Sequence, residues 1–80
     1  MKDNSKKYFD WINIPEGFDW VAIDKSGSVY AFTDKPYPDY YYCKWFLHNN
    51  QFEEVELINR TEKERNNWIE LIFRRPTEKP

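Results

Sequence analysis

The sequence predicts a small α+β domain, in which an antiparallel sheet of three or four strands, arranged as two hairpins, carries one C-terminal helix packed on it. Three observations predict this fold: two apolar runs that flank a glycine-containing turn, a second pair of β-favouring segments, and an apolar arc that begins at Trp68. A chain of 80 residues has room for one domain with a thin core. We expect a flexible arm over residues 1–7, the domain over residues 8–76 and a frayed tail over residues 77–80.

The first hairpin is the most informative stretch of the chain. Its strands, residues 20–24 and 29–33, flank the sequence Asp-Lys-Ser-Gly, which is typical of a type I turn with Gly27 in the left-handed region. Both alternating sets of side chains in the first strand are apolar, so we expect this strand to be central or covered. Before the hairpin, Pro15 and Gly17 predict another turn, in which Gly17 supplies a positive φ.

A second hairpin is predicted from the middle of the chain. Residues 35–39 contain two prolines, which favour an extended, unpaired connection. The aromatic-rich segment 40–47 favours a strand, and residues 48–51 predict a turn. Within residues 53–58, Glu54 and Glu56 alternate with Val55 and Leu57, which is typical of a half-exposed edge strand that pairs with the preceding one.

The C-terminal segment is predicted to be helical. Two capping-box patterns, Thr61 with Glu64 and Asn67 with Glu70, precede an apolar run. The apolar side chains cover a broad arc at 100° per residue, so a helix over residues 68–74 would dock this arc on the sheet. The predicted core residues are Trp20, Ile23, Phe32, Trp68 and Ile72.

Composition and charge exclude several classes of function. The net charge of −2 and the pI near 5.3 argue against nucleic-acid binding, because no basic excess exists to neutralise phosphates. No apolar run approaches the length of a membrane span, so we expect no membrane partner. Cys43 is the single cysteine, which suits a reducing cytosol.

The residues needed for catalysis are sparse. The single histidine, His48, lies in a predicted turn, and with Cys43 it offers two metal ligands where a structural zinc site needs four. The two glycines form no phosphate-binding loop. We therefore predict a protein that is not an enzyme and that has no cofactor or metal.

Tyrosines supply the chemistry of a binding surface. Tyrosine has a rigid apolar ring with a polar tip, a combination that is enriched at protein interfaces. The predicted binding residues lie around the proline-bearing segment and are Tyr37, Tyr40, Tyr41, Tyr42, Lys44 and Trp45. An alternative interpretation, that these tyrosines only cover a thin core, stays open.

Several segments together form a recognisable pattern. They are Trp11, then Ile14-Pro15-x-Gly17, then Trp20-x-Ala22-x-Asp24-x-x-Gly27-x-x-x-Ala31-Phe32, and finally Trp68 with Arg75-Pro76. The pattern resembles that of small uncharacterised proteins encoded by tailed bacteriophages, although Leu71 and Ile72 replace Ser and Leu, and the middle third hardly matches. The resemblance implies no functional residue. It implies only a context, an accessory phage protein in the host bacterial cytoplasm.

Three functions are compatible with these features. The first is a counter-defence inhibitor that binds a host or anti-phage defence protein through its aromatic surface. The second is an oligomeric sponge that sequesters a nucleotide immune signal between aromatic rings and cations, for which the candidates are Lys35, Lys44, Arg74 and Arg75. The third is a structural or regulatory module of a phage assembly.

Overall fold

The computed structural model describes residues 4–48, 54–60 and 63–77. This part of the chain contains six short strands, β1 (Trp20–Ile23), β2 (Val29–Phe32), β3 (Tyr37–Asp39), β4 (Lys44–Phe46), β5 (Val55–Asn59) and β6 (Ile72–Arg74). Single 3-10 turns lie at Asn4–Lys7, Trp11–Asn13 and Trp68–Glu70. None of the described helical segments has the length and apolar character needed to cross a membrane.

A four-stranded antiparallel sheet in the order β5-β2-β1-β6 forms the centre of the molecule, and β3 and β4 form a separate two-stranded sheet. The predicted β1–β2 hairpin is confirmed, with Trp20 opposite Phe32 and Ile23 opposite Val29. Gly27 closes its turn with a φ of 98°, in the region that glycine reaches without a Cβ clash. The central position of β1 agrees with its two apolar faces.

The predicted α+β class with a C-terminal helix is wrong. Trp68–Glu70 is a lone 3-10 turn, and Ile72–Arg74 is a strand that pairs with β1. A short apolar run fits two faces of a strand as well as one side of a helix, and β1 offers an unpaired edge whose hydrogen bonds favour the strand. Asn67 precedes the 3-10 turn, but its side chain makes no capping hydrogen bond. The other capping pair includes Thr61, which lies outside the described residues.

The predicted second hairpin is also wrong. Tyr37–Asp39, predicted to be unpaired, is β3, and it pairs with β4, so residues 40–43 form a turn instead of a strand. β5 pairs with β2 instead of with the aromatic segment. Pro38 is compatible with β3 because a two-stranded sheet leaves one edge of each strand without partners, where a missing N–H costs little. Of the turn predicted over residues 48–51, residues 49–51 lie outside the described part.

Apolar clusters cover both faces of the central sheet. The first contains the buried residues Phe9, Ile14, Val21, Ile23, Val29, Ala31 and Leu71. The second contains the buried residues Ala22, Phe32, Trp45, Leu47 and Trp68. Among the predicted core residues, Ile23, Phe32 and Trp68 are buried, whereas Trp20 and Ile72 are half-buried at the margin of the second cluster.

Two segments pack on the central sheet, one on each face. We call them the N-terminal cover, which contains Phe9 and Ile14, and the hairpin cover, which is the β3–β4 hairpin. The N-terminal segment lays Phe9 and Ile14 on one face, and the β3–β4 hairpin lays Trp45 on the other. Ser5, within the predicted flexible arm, is fully buried in a 3-10 turn, while residues 1–3 and 78–80 lie outside the description. The N-terminal cover reaches β1 through a turn in which Gly17 has a φ of 92°.

Candidate functional site

A continuous row of aromatic rings lies on the face of the β3–β4 hairpin opposite the buried Trp45 and Leu47. We call it the aromatic row, and its members, in spatial order, are His48, Tyr37, Phe46, Tyr42 and Tyr41. The centroid distances between successive rings are 4.8, 6.4, 6.3 and 4.8 Å. His48 stacks on Tyr37, and Tyr41 meets Tyr42 edge to face. Such spacing is within the range of favourable aromatic pairs, so each ring limits the motion of its neighbour.

The turn that carries three of the tyrosines has a defined backbone. The Asp39 carboxylate accepts hydrogen bonds from the backbone N–H groups of Tyr41 at 2.9 Å and Tyr42 at 3.0 Å. Cys43 completes the turn with a φ of 58°, the left-handed conformation that allows the chain to enter β4. These local bonds hold Tyr40, Tyr41 and Tyr42 outward, and all three are exposed.

Trp45 fixes the hairpin to the sheet instead of contributing to a binding surface. Its side chain is buried, its indole Nε1–H donates to the Ile23 carbonyl at 2.9 Å, and its ring meets Trp68 edge to face at 5.8 Å. The side chains of β4 alternate, so Trp45 points inward while Lys44 and Phe46 point outward. The β3–β4 hairpin that carries the aromatic row is therefore fixed to the central sheet through Trp45.

The structure separates the predicted binding residues into four groups. Tyr37, Tyr41 and Tyr42 join the aromatic row, while Tyr40 lies apart from it, with its ring centroid 6.1 Å from that of Trp68. Lys44 is exposed at the start of β4, and Trp45 belongs to the core. Phe46 and His48 were not predicted as binding residues. The alternation of Lys44, Phe46 and His48 with the large apolar Trp45 and Leu47 is the sequence signal that places them outward.

The four cations predicted to hold a nucleotide do not form one site. Arg75 Nη2 donates to the carbonyls of Ile14, Pro15 and Phe18 at 3.3, 3.1 and 2.9 Å. Lys35 and Arg74 both lie over the ring of Trp20, at 5.8 and 5.5 Å from its centroid. Lys44 lies elsewhere, beside the tyrosine turn. Arg75 is thus a structural residue, whereas Lys44 lines a cleft together with Tyr42.

The described residues contain no group of His, Cys, Asp and Glu side chains arranged to hold a metal ion. His48 is exposed, and its ring stacks on that of Tyr37. The thiol of Cys43 contacts the Tyr40 carbonyl at 3.6 Å within the turn. The arrangement around the tyrosines is suited to contact with another molecule through rings and hydroxyls.

Compared with known proteins, the chain matches no protein-family model, no curated protein and no solved structure. The resemblance to small bacteriophage proteins stays a prediction. The functional argument below therefore rests on the geometry of this chain.

Proposed function

We propose that the protein is a non-catalytic binding protein that contacts a partner protein through the aromatic row and through Tyr40, which the same turn exposes. The observation that carries the proposal is the placement of exposed tyrosines on a turn that is held by Asp39 and anchored by the buried Trp45. Aromatic side chains that stay exposed are costly to hydrate and are enriched at protein interfaces. The core already contains its own large residues, so packing does not account for these rings.

The rigidity of the surface favours binding. Association costs free energy when flexible side chains and loops become ordered. Ring-to-ring contacts restrict the aromatic row before any partner arrives, and tyrosine has few rotatable bonds. The row therefore offers a large contact area with a small loss of conformational entropy.

The class of partner is proposed from the context that the resemblance to phage accessory proteins implies. We propose that the chain acts in the host bacterial cytoplasm and inhibits a host protein or an anti-phage defence protein stoichiometrically. Inhibition of this kind needs a surface and no reacting group, which agrees with the sparse catalytic chemistry of the chain. Sequestration of a nucleotide by an oligomer and a role inside a phage assembly are the alternative outcomes of the experiment below.

A plaquing assay on bacteria that express the chain tests the proposal. We expect expression of the chain to raise plaquing on a strain that carries an anti-phage defence system which the chain inhibits. The double variant Tyr37→Ser/Tyr41→Ser should abolish that effect. Tyr41 is 86% exposed and Tyr37 39% exposed. Because both side chains reach solvent, we expect a loss of at most ~1 kcal/mol, which would lower the melting temperature by about 4–8 °C.

The matched control is Ile12→Ser/Ile69→Ser. Ile12 is 85% exposed and Ile69 43% exposed, so this pair removes similar exposed apolar surface away from the aromatic row. It should retain full activity. A fully active tyrosine variant, or equal loss in both variants, would contradict the proposed interface. A complex that contains a small nucleotide and no protein would favour the sponge, and incorporation into phage particles would favour the assembly role.

A further inference from the structure

An open cleft of about 690 Å³ lies between the β1–β2 turn, the start of β4 and the end of β5. Its volume is in the range of sites for small molecules, about 300–1,000 Å³. Residues outside the β1–β2 hairpin form hydrogen bonds with the turn that borders the cleft. The backbone N–H of Lys25 donates to the Cys43 carbonyl at 3.2 Å, and the Lys25 carbonyl accepts from the Arg65 N–H at 2.7 Å. These two bonds tie the turn to the start of β4 and to the segment that contains Arg65, while the end of β5 is paired with β2 through Asn59 and Val29.

Cations line this cleft. Lys25, Lys44 and Arg60 all contribute to its wall, and Lys44 and Arg60 are exposed. Within the described residues, neither Lys44 nor Arg60 forms an ion pair with a carboxylate. Two cations that face one cleft favour an anion between them, because the anion offsets their mutual repulsion.

The carboxylates of the cleft are already engaged. Asp24 is buried, and its Oδ1 accepts hydrogen bonds from the Ser26 hydroxyl at 2.7 Å and from the Ser28 N–H at 3.1 Å. Glu64 lies 3.7 Å from the Lys25 ammonium. Asp24 therefore stabilises the turn, while Glu64 competes with any anion for Lys25. The strongest anion contacts are left to Lys44 and Arg60.

Aromatic rings complete the lining. Tyr30 is half-buried and Tyr42 is exposed, and both border the cleft that the cations line. A tyrosine ring is a surface on which a planar heterocycle stacks, whereas Lys and Arg bind phosphate oxygens through charge-assisted hydrogen bonds. A molecule that joins a heterocycle to phosphates matches both parts of the lining.

We propose that this cleft is a nucleotide-binding site, in which Lys44 and Arg60 bind the phosphates and Tyr42 stacks on the base. The site differs from the set of cations predicted from the sequence, because it includes Arg60 and excludes Lys35, Arg74 and Arg75. The proposal does not rest on the aromatic row as a protein interface. Tyr42 is the one residue that the two surfaces share.

Isothermal titration of the full chain with ADP and UDP tests this site, with pyrophosphate and the matching nucleosides adenosine and uridine as partial ligands. We expect at least one of the two nucleotides to bind, and its two halves to bind at least about tenfold more weakly, because each half makes only some of the contacts. The proposal is overturned if neither nucleotide binds at about 1 mM, or if either half binds as tightly as the nucleotide.

Charge variants identify the location of the site. Lys44→Ala and Arg60→Ala should each weaken nucleotide binding about tenfold, and Glu64→Gln should tighten it by releasing Lys25. Lys35→Ala removes the same charge outside the cleft, so it should leave the affinity unchanged. Equal weakening by Lys35→Ala and Lys44→Ala would show a non-specific charge effect and overturn the proposal. The Tyr37→Ser/Tyr41→Ser variant keeps the cleft, so its nucleotide affinity separates failure of this site from failure of the protein interface.

Discussion

Arg75 joins the two ends of the described chain. Its backbone N–H donates to the Asp19 carbonyl at 2.7 Å, its Nε donates to the Asp19 carboxylate at 3.1 Å, and its guanidinium lies 4.9 Å from the centroid of Trp11. Together with the three carbonyls that accept from Nη2, these contacts satisfy backbone groups of the N-terminal cover. A planar fork with several donors is needed to reach all of them at once.

Arg75→Lys should therefore destabilise the protein although it keeps the charge. A lysine ammonium cannot reach both the carbonyls and the Trp11 ring, so we expect a loss of about 1–3 kcal/mol in the free energy of unfolding. Arg74→Lys, at the neighbouring exposed position, should cost less than ~0.5 kcal/mol. Urea denaturation of both variants measures the difference, and equal stability would show that Arg75 does not hold the N-terminal cover.

The sequence indicates the role of a residue whose partners are its neighbours in the chain. It does not indicate the role of a residue whose partners lie far away in the chain. The turn position of Gly27 follows from its immediate neighbours, because a left-handed residue is needed after Asp-Lys-Ser. Arg75 was predicted to bind a nucleotide, but its side chain donates to backbone carbonyls near Pro15. Every residue has a backbone carbonyl, so the sequence does not indicate which ones accept a hydrogen bond. The inward position of Trp45 likewise depends on the carbonyl of Ile23, on another strand.

At the scale of elements, the tyrosine turn depends on an unusual residue. Cys43 has a φ of 58°, a conformation that costs a non-glycine residue on the order of 1–2 kcal/mol. Asn enters this region more easily than other non-glycine residues, whereas β-branched side chains are strongly disfavoured there. In this turn, asparagine at position 43 should therefore give a more stable protein than valine. In a continuous strand over residues 40–47, valine would give the more stable protein.

Cys43→Val should lower the free energy of unfolding by about 1–2 kcal/mol, and Cys43→Asn should change it by less than ~0.5 kcal/mol. In a strand, valine would be the better residue of the two. Thermal unfolding of both variants compares these possibilities directly. A valine variant at least as stable as the asparagine variant would restore the strand interpretation of this segment.

Local patterns predicted the first hairpin, while long-range pairing decided the other strands. β1 and β2 are joined by a turn whose residues define it, so their pairing follows from sequence. The partner of β5 is β2 and the partner of β6 is β1, and neither choice is encoded near those strands. The apolar run after Trp68 is too short for its periodicity to separate helix from strand.

At the scale of the whole molecule, one sheet supports two apolar clusters. Val21 and Ile23 enter the first cluster, and the intervening Ala22 enters the second. Because alternate residues of the same strand feed both clusters, loss of β1 removes both at once. The two covers should therefore unfold together, in a single cooperative transition.

NMR measurements during urea denaturation test this cooperativity through two indole N–H signals. Trp11 packs against the first cluster and Trp45 belongs to the second, so their native signals should disappear at the same urea concentration. Leu47→Ala, expected to cost about 2–5 kcal/mol, should shift both midpoints equally. Separate midpoints for the two signals would show that the covers are independent units.

The sequence indicates which residue types form the candidate site, but it does not indicate how they are arranged in space. The cluster of tyrosines is visible in the sequence, and its chemistry indicates binding. The aromatic row also needs Phe46 and His48, which come into line only because β3 pairs with β4. The cleft combines residues from the β1–β2 turn, β4 and the end of β5, so the sequence does not bring them together before the sheet order is known.

The position of β6 has a consequence for synthesis on the ribosome. The strand that completes the second edge of β1 is made ~40 residues after β2. At roughly 5–20 residues per second, the edge of β1 that β6 will occupy stays open for about 2–8 s after β2 has been made. An open edge of this kind pairs readily with other nascent chains. The speed of translation between β2 and β6 therefore sets how long each new molecule stays prone to aggregation.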